Sequence, residues 1–187
     1  GIKSKNRIIK SELTSPDTIL LHKSLEKIKK DRINNVIIEA SSHGIHQKRM
    51  SHLNFKAGIF TNFSQDHLDY HKSMHRYLKA KLCLFNKILL TKKTIISDEG
   101  SNVYSGLKKI SKKRNLNIRN ISLIEKKLNN QLSKKFNEFQ IKNLAMAILA
   151  AKICKVKEKK IFSSLKKIKS VNGRLELVRT FPNNIKV

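Results

Sequence analysis

Two short apolar runs, each ending abruptly in a dense set of polar and ionisable residues, constrain what this chain can fold into. Val36-Ile37-Ile38 closes at Glu39 and is followed by Ser41, Ser42, His43, Gln47 and Arg49. Gly58-Ile59-Phe60-Thr61 is followed by Asn62, Asp66, His67, Asp69 and His71. Runs this short and this apolar read as strands covered on both faces. In an open parallel sheet, ligands gather beyond the carboxyl ends of the strands. The pattern predicts an α/β fold with its site at these two strand ends.

The rest of the chain continues the alternation. Lys93–Ser97 reads as a strand before the turn Asp98-Glu99-Gly100, and residues 1–10 carry a weaker strand signal. Thr14-Ser15-Pro16-Asp17 reads as a helix start, with hydroxyls as caps, proline in the first turn, and Leu21, Leu25 and Ile28 as the apolar stripe. Ser73 to Phe85 is helical in pattern, and further helices are predicted over 101–113, 143–154 and 158–168. The lysine- and asparagine-rich stretch 108–135 gives no clear assignment. Helices alternating with strands imply a mainly parallel sheet flanked by helices.

Composition narrows the class of partner. The 187 residues are enough for one well-formed core. A net charge of +28 suggests a polyanion, but the lysines recur in nearly every segment with no aromatic ladder or recognised nucleic-acid motif. The charge therefore reads as solvation of every exposed face, with a field that attracts small anions. A basic nucleic-acid-binding domain is the alternative. Cys83 and Cys154 lie far apart, which supports neither a zinc knuckle nor a redox pair. No apolar run approaches the roughly 20 residues of a membrane helix, so a soluble, cytoplasmic protein without membrane insertion is expected.

Three features of the strand ends carry chemistry. An acid closing a buried strand, Glu39, suits a magnesium ion beside phosphates, because a hard cation takes oxygen ligands; it also suits plain solvation. His67, His71 and His75 fall four apart and would share one face of a continuous helix, inviting zinc. Asn62, Asp66 and Asp69 argue instead for a loop, with His71 and His75 exposed. Lys81 projects near the centre of an apolar face formed by Met74, Leu78, Leu82 and Phe85, whereas Lys79 points away. Such a lysine either snorkels outward or is held partly buried, where the neutral amine can take up carbon dioxide as a carbamate.

Taken together, IIEASSHGIHQKR at 37–49, FTNFSQDHLDYH at 60–71 and MHRYLKAKLCLF at 74–85 resemble signature segments of the MurE branch of the Mur ligases. Ser-Ser-His followed by Gln-x-Arg favours that branch over its siblings and the folate polyglutamate ligases. The resemblance implies a Mur ligase central domain of α/β class. It also implies an ATP-dependent amide ligase of peptidoglycan precursor synthesis, taking UDP-N-acetylmuramoyl-L-alanyl-D-glutamate and a diamino acid, diaminopimelate or lysine, through an acyl phosphate. Its cofactors would be ATP, as co-substrate, and Mg2+; a bacterial monomer is expected.

By the same resemblance, Glu39 and His67 correspond to magnesium ligands and Lys81 to the carbamylated lysine, so that His67 and Lys81 are also the catalytic pair. Thr14 and Ser15 correspond to paired substrate hydroxyls, with serine where threonine is usual, and Ser41, Gln47 and Arg49 to further substrate contacts. Phe139 and Asn143 resemble the adenine-side motif, although Gln140 stands where asparagine is usual. Gly173-Arg174-Leu175-Glu176 resembles the end of the central domain, with Arg174 facing the nucleotide.

One departure is large. No Gly-x-x-x-x-Gly-Lys-Ser/Thr is present, and the chain holds only six glycines. The phosphate-cradling P-loop of the whole family is thus absent, and by resemblance it lies before Gly1. The expected organisation is a central domain lacking its P-loop over residues 1–170, with 171–187 starting the linker to a C-terminal domain. The chain is then a fragment inactive alone, or a non-catalytic remnant that still binds UDP-muramoyl peptide.

Overall fold

Three parallel strands carry the fold: β3 (Ala57–Phe60), β4 (Thr94–Ser97) and β5 (Asn117–Asn120), in spatial order β3-β4-β5. The register sets Phe60 beside Ser97 and Ser97 beside Asn120, so the three carboxyl ends are level at one edge. Structure was obtained as a computed structural model that describes residues 2–4, 7–9, 13–133 and 135–168. The chain divides into two compact units, Gly1–Cys154 and Lys155–Val187.

In the first unit, the weak strand signal at the start resolves into an antiparallel hairpin of β1 (Ile2–Ser4) and β2 (Arg7–Ile9), with Ile2 opposite Ile9. Helix α1 (Thr18–Lys30) follows. Its cap is Asp17, which accepts from the Leu20 N–H at 3.0 Å. Thr14 and Ser15 do not cap it, and Pro16 stands before the cap rather than in the first turn. A carboxylate facing the free N–H groups and the positive helix end is a strong N-terminal partner, and Ser15 is buried in other contacts. Of the apolar stripe only Leu21 is fully buried.

The segment Val36–Ile38 does not form the expected strand. Residues 33–41 have no regular structure, Val36 is 45% exposed and Ile37 is 94% exposed. A strand exists only through a neighbour that takes its N–H and C=O groups, and β3 is laddered to β4 alone among the described residues. Apolar character therefore goes unused here. Helix α2 (Ser42–His46) follows at once.

After β3, the chain makes the short helix α3 (Leu68–His71), breaks at Lys72 with a φ of 63°, and restarts as α4 (Met74–Cys83) capped by Ser73. A π-helical turn over Leu84–Ile88 extends α4. The break separates His71 from His75, so the continuous zinc-binding helix is not formed. Of the expected apolar face, Phe85 is fully buried and Leu78 and Leu82 pack against the core, while Met74 is only half-buried; Tyr77 and Ala80 are the fully buried residues of α4 itself.

Helices α5 (Tyr104–Arg114) and α7 (Glu138–Ile153) pack on the sheet, and α6 (Ser122–Leu132) packs on α7. The stretch 108–135, unassigned from sequence, thus contains the end of α5, β5 and α6. Alternation along β4 divides its isoleucines. Ile95 joins Phe60, Phe85, Leu89 and Leu107 in one cluster, while Ile96 faces away from it and is equally buried. Ile141, Ala145, Met146 and Ile148 of α7 are buried outside that cluster. Each such isoleucine, leucine, phenylalanine or methionine removed from water contributes about 1.5–3 kcal/mol. Gly58 matters because a Cβ there would stand 2.8 Å from the Phe85 ring, so only glycine lets that ring lie on β3.

In the second unit, α8 (Glu158–Leu165) is the described element. Both cysteines are free and half-buried. Among the described residues no helix is long and apolar enough to cross a membrane.

Candidate functional site

Ser15 ties the first polar segment together. Its hydroxyl donates to the Glu39 carbonyl at 2.9 Å and accepts from the Ser41 N–H at 3.1 Å. The Ser41 hydroxyl lies 2.9 Å from it and must be the donor in that pair, since the Ser15 proton is already committed. Ser41 also caps α2 by accepting from Gly44 N–H at 3.1 Å. Ser15 is 1% exposed; Thr14 beside it is exposed. A Cβ at Gly44 would come within 2.8 Å of the Ser15 Cβ, which explains the glycine.

Arg49 closes this network from the other side. Its Nη1 donates to the Ser15 carbonyl at 2.8 Å and its Nη2 to the Gln47 side-chain oxygen. Gln47 in turn donates to the Tyr70 hydroxyl at 3.3 Å, and His46 Nδ1 lies 2.9 Å from that hydroxyl. The two polar segments of the sequence are thereby joined through Tyr70, a link the linear pattern does not show. Ser15, Ser41, Gln47 and Arg49 come together as one hydrogen-bonded group.

Beneath them lies a ring cluster. His43 sits 4.1 Å from Tyr70, 4.9 Å from His67 and 5.5 Å from His71, between centroids. His71 is 5% exposed, not exposed as expected, and its Nε2 is 2.9 Å from the Ser42 hydroxyl. Burial, followed by the neighbouring His43, His46 and His67, pushes its pKa below the usual imidazole value. The sequence missed this role because the signal is burial, not spacing; His75 is exposed.

Lys81 is half-buried at the carboxyl end of β3. Its Nζ donates to the Asn62 carbonyl at 3.3 Å and stands 5.1 Å from the Tyr77 ring centre and 5.7 Å from that of Phe60. His67 meets the same Tyr77 ring edge-on at 5.8 Å and lies 3.4 Å from the Asp66 carboxylate. The Glu39 side chain is exposed, only its carbonyl entering the Ser15 network. Among the described residues no three His, Cys, Asp or Glu side chains form a metal cage. For Mg2+ the donor chemistry would fit only with Lys81 as an oxygen ligand, which a carbamate would make it, since an ammonium cannot ligate a cation.

A second polar cluster stands at the end of β4. Asp98, 9% exposed, accepts from the Gly100 N–H at 2.9 Å, and Lys142 of α7 reaches it at 3.0 Å and Glu138 at 2.9 Å. Hydrogen bonds to Glu138 and then Asp98 hold the Lys142 ammonium well above the ordinary lysine range. Burial raises the Glu125 carboxyl nearby, and Lys142 offsets this in part. Asn143, one residue on, is exposed, as is Phe139. Gln140 accepts from Asn137 N–H at 3.0 Å and closes the capping box of α7. Arg174 lies outside the described residues.

Three parallel strands with level carboxyl ends, flanked by helices, define an α/β domain of the kind that gathers ligands beyond its strand ends. Residues 1–166 match the Mur ligase middle domain, and the chain belongs to that family. It is 30% identical to the UDP-N-acetylmuramoyl-L-alanyl-D-glutamate--2,6-diaminopimelate ligase of Leptospira interrogans, over 95% of this chain and 40% of that protein. The ligase of the same name from Wigglesworthia glossinidia brevipalpis is 32% identical over the same shares. That of Bradyrhizobium diazoefficiens is 42% identical over 48% of this chain and 18% of its own length. A solved structure of a ligase of that name superposes with a TM-score of 0.70 at 20% identity, covering 88% of this chain and 38% of its own, which shows a shared fold. The chain spans about 40% of the length of the first two relatives.

Proposed function

We propose that this chain is the central part of an ATP-dependent amide ligase that joins a diamino acid to UDP-N-acetylmuramoyl-L-alanyl-D-glutamate. Residues 1–170 would form the central domain and 171–187 the start of a linker. The observation that carries the reading is Lys81, half-buried and aimed at the Asn62 carbonyl at the end of β3, with His67 on the same aromatic ring. Similarity to ligases named for diaminopimelate supports that amino acid over lysine.

The chemical difficulty is to bring a carboxylate and a triphosphate together. When bound, ATP supplies the phosphoryl group that activates the D-glutamate carboxylate, and Mg2+ offsets the charge between the anions. Glu39, His67 and a carbamylated Lys81 would hold the cation. Arg49, with Ser41 and Gln47 arranged around it, would orient the anionic substrate, since a guanidinium fork pairs with carboxylate or phosphate. Asn143 and Arg174 would face the nucleotide. The amine of the diamino acid then displaces phosphate and forms the amide.

The test is made in this chain completed with the P-loop and C-terminal sequence of the Leptospira relative. Lys81→Ala should lose ligation and regain part of it with added short-chain carboxylic acid. Full activity of Lys81→Ala without rescue would overturn the assignment. The 187-residue chain by itself is expected to form no amide, because it lacks the P-loop's cradle for the triphosphate.

A further inference from the structure

Tyr77 is 4% exposed and lies one helical turn before Lys81 on α4. Its ring is fixed on both flanks: it stacks on His71 at 5.3 Å with 28° between planes, and it packs at 5.3 Å against Phe63. Two side chains of the proposed cation site then lean on it. The Lys81 Nζ stands over the ring at 5.1 Å, within cation–π range, and His67 meets it edge-on at 88°. Each contact is made to the ring, none to the hydroxyl.

We infer that Tyr77 is a positioning residue: one buried aromatic ring sets the direction of both the Lys81 amine and the His67 imidazole. The inference rests on the proposed function for the role of those two side chains, but the geometric claim stands apart from it. Lys81 has four rotatable side-chain bonds and is only half-buried; besides Tyr77, the Asn62 carbonyl at 3.3 Å and the Phe60 ring at 5.7 Å border its Nζ, and Tyr77 is the nearer of the two rings. His67 has a backbone φ of 52° at the start of α3, and its 43% exposed side chain also meets the His43 ring at 4.9 Å and the Asp66 carboxylate at 3.4 Å. Tyr77 is the contact that the two share. Residues that orient metal ligands without touching the metal change affinity by about 10- to 100-fold when removed.

The experiment uses the full 187-residue chain in three forms: wild type, Tyr77→Phe and Tyr77→Leu. In wild type, the Lys81 ε-methylene protons should be shifted upfield by the Tyr77 ring current, a signature needing no variant; an unshifted resonance overturns the inference even if Tyr77→Leu fails to fold. Magnesium is then titrated in 13C-bicarbonate buffer, following the carbamate resonance formed when the neutral Lys81 amine adds to carbon dioxide and releases a proton. Tyr77→Leu should weaken Mg2+ binding about 10- to 100-fold and cut the upfield shift to what the Phe60 ring alone gives, and Tyr77→Phe should retain both properties. Wild-type affinity in a folded Tyr77→Leu protein, or a Tyr77→Phe protein as impaired as Tyr77→Leu, would refute it. A wild type with no carbamate and no Mg2+ binding, but with the upfield Lys81 shift, would instead fail the cation assignment while supporting the positioning.

Discussion

Ser15 and Ser41, 26 positions apart, share two hydrogen bonds through one buried hydroxyl, at 2.9 and 3.1 Å. This pair holds the segment after Ile38 in place without a β-ladder. The Glu39 carbonyl, the Ser41 N–H and the α2 cap all depend on it. Ser15→Ala strands the part-buried Glu39 carbonyl and Ser41 N–H, so it should destabilise the chain by about 1–2 kcal/mol. Urea denaturation checks this. A loss near zero would show that water replaces the hydroxyl.

Lys142 gives a pH signature. Its folded pKa is raised by Glu138 and Asp98, so its contribution to stability is fully present below the ordinary lysine value of 10.5 and is lost as pH rises through the folded value. Lys142→Met should cost about 1–2 kcal/mol at neutral pH. The gap between wild type and variant should be flat around neutrality and close only above pH 10.5. Melting curves across alkaline pH would test the sign.

His71 acts at the other end of the scale. Its folded pKa is depressed, so the folded state resists protonation that the unfolded state accepts. The stability it contributes is complete above the ordinary value of 6.5 and drains away as pH falls from there through the folded pKa. His71→Gln, which keeps a polar group toward Ser42, should therefore lose less stability than wild type between roughly pH 7 and roughly pH 5. A steeper acid limb in the variant would contradict the assignment.

Ile37 tests the strand that did not form. At 94% exposed it contributes little to this chain, so Ile37→Thr should change stability by less than about 0.5 kcal/mol. Ile95→Val, at a fully buried position of β4, should cost about 0.5–1.5 kcal/mol. Equal effects at the two positions, measured by thermal unfolding, would mean that residues 36–38 are covered after all.

The strands at 57–60 and 94–97 and most helices were legible because apolar runs and turn residues are local signals, and the α/β class follows from their alternation. The resemblance in residues 37–49, 60–71 and 74–85 was equally a property of the string, and it pointed to the family to which residues 1–166 belong. Asp17 rather than Ser15 as the cap, and Gln140 in the α7 capping box, were not legible, since competing hydroxyls, amides and carboxylates differ only in where the backbone carries them. Val36–Ile38 shows the limit most clearly: propensity is local, but a strand needs a partner, and pairing is a property of the assembled sheet. The same reason hid Tyr77. It stands one helical turn before Lys81, yet only the packed structure makes that ring the common neighbour of Lys81, His67 and His71, side chains that lie from 4 to 10 positions away along the chain. Residue types thus set which chemistry was available, and tertiary packing decided which of those groups meet.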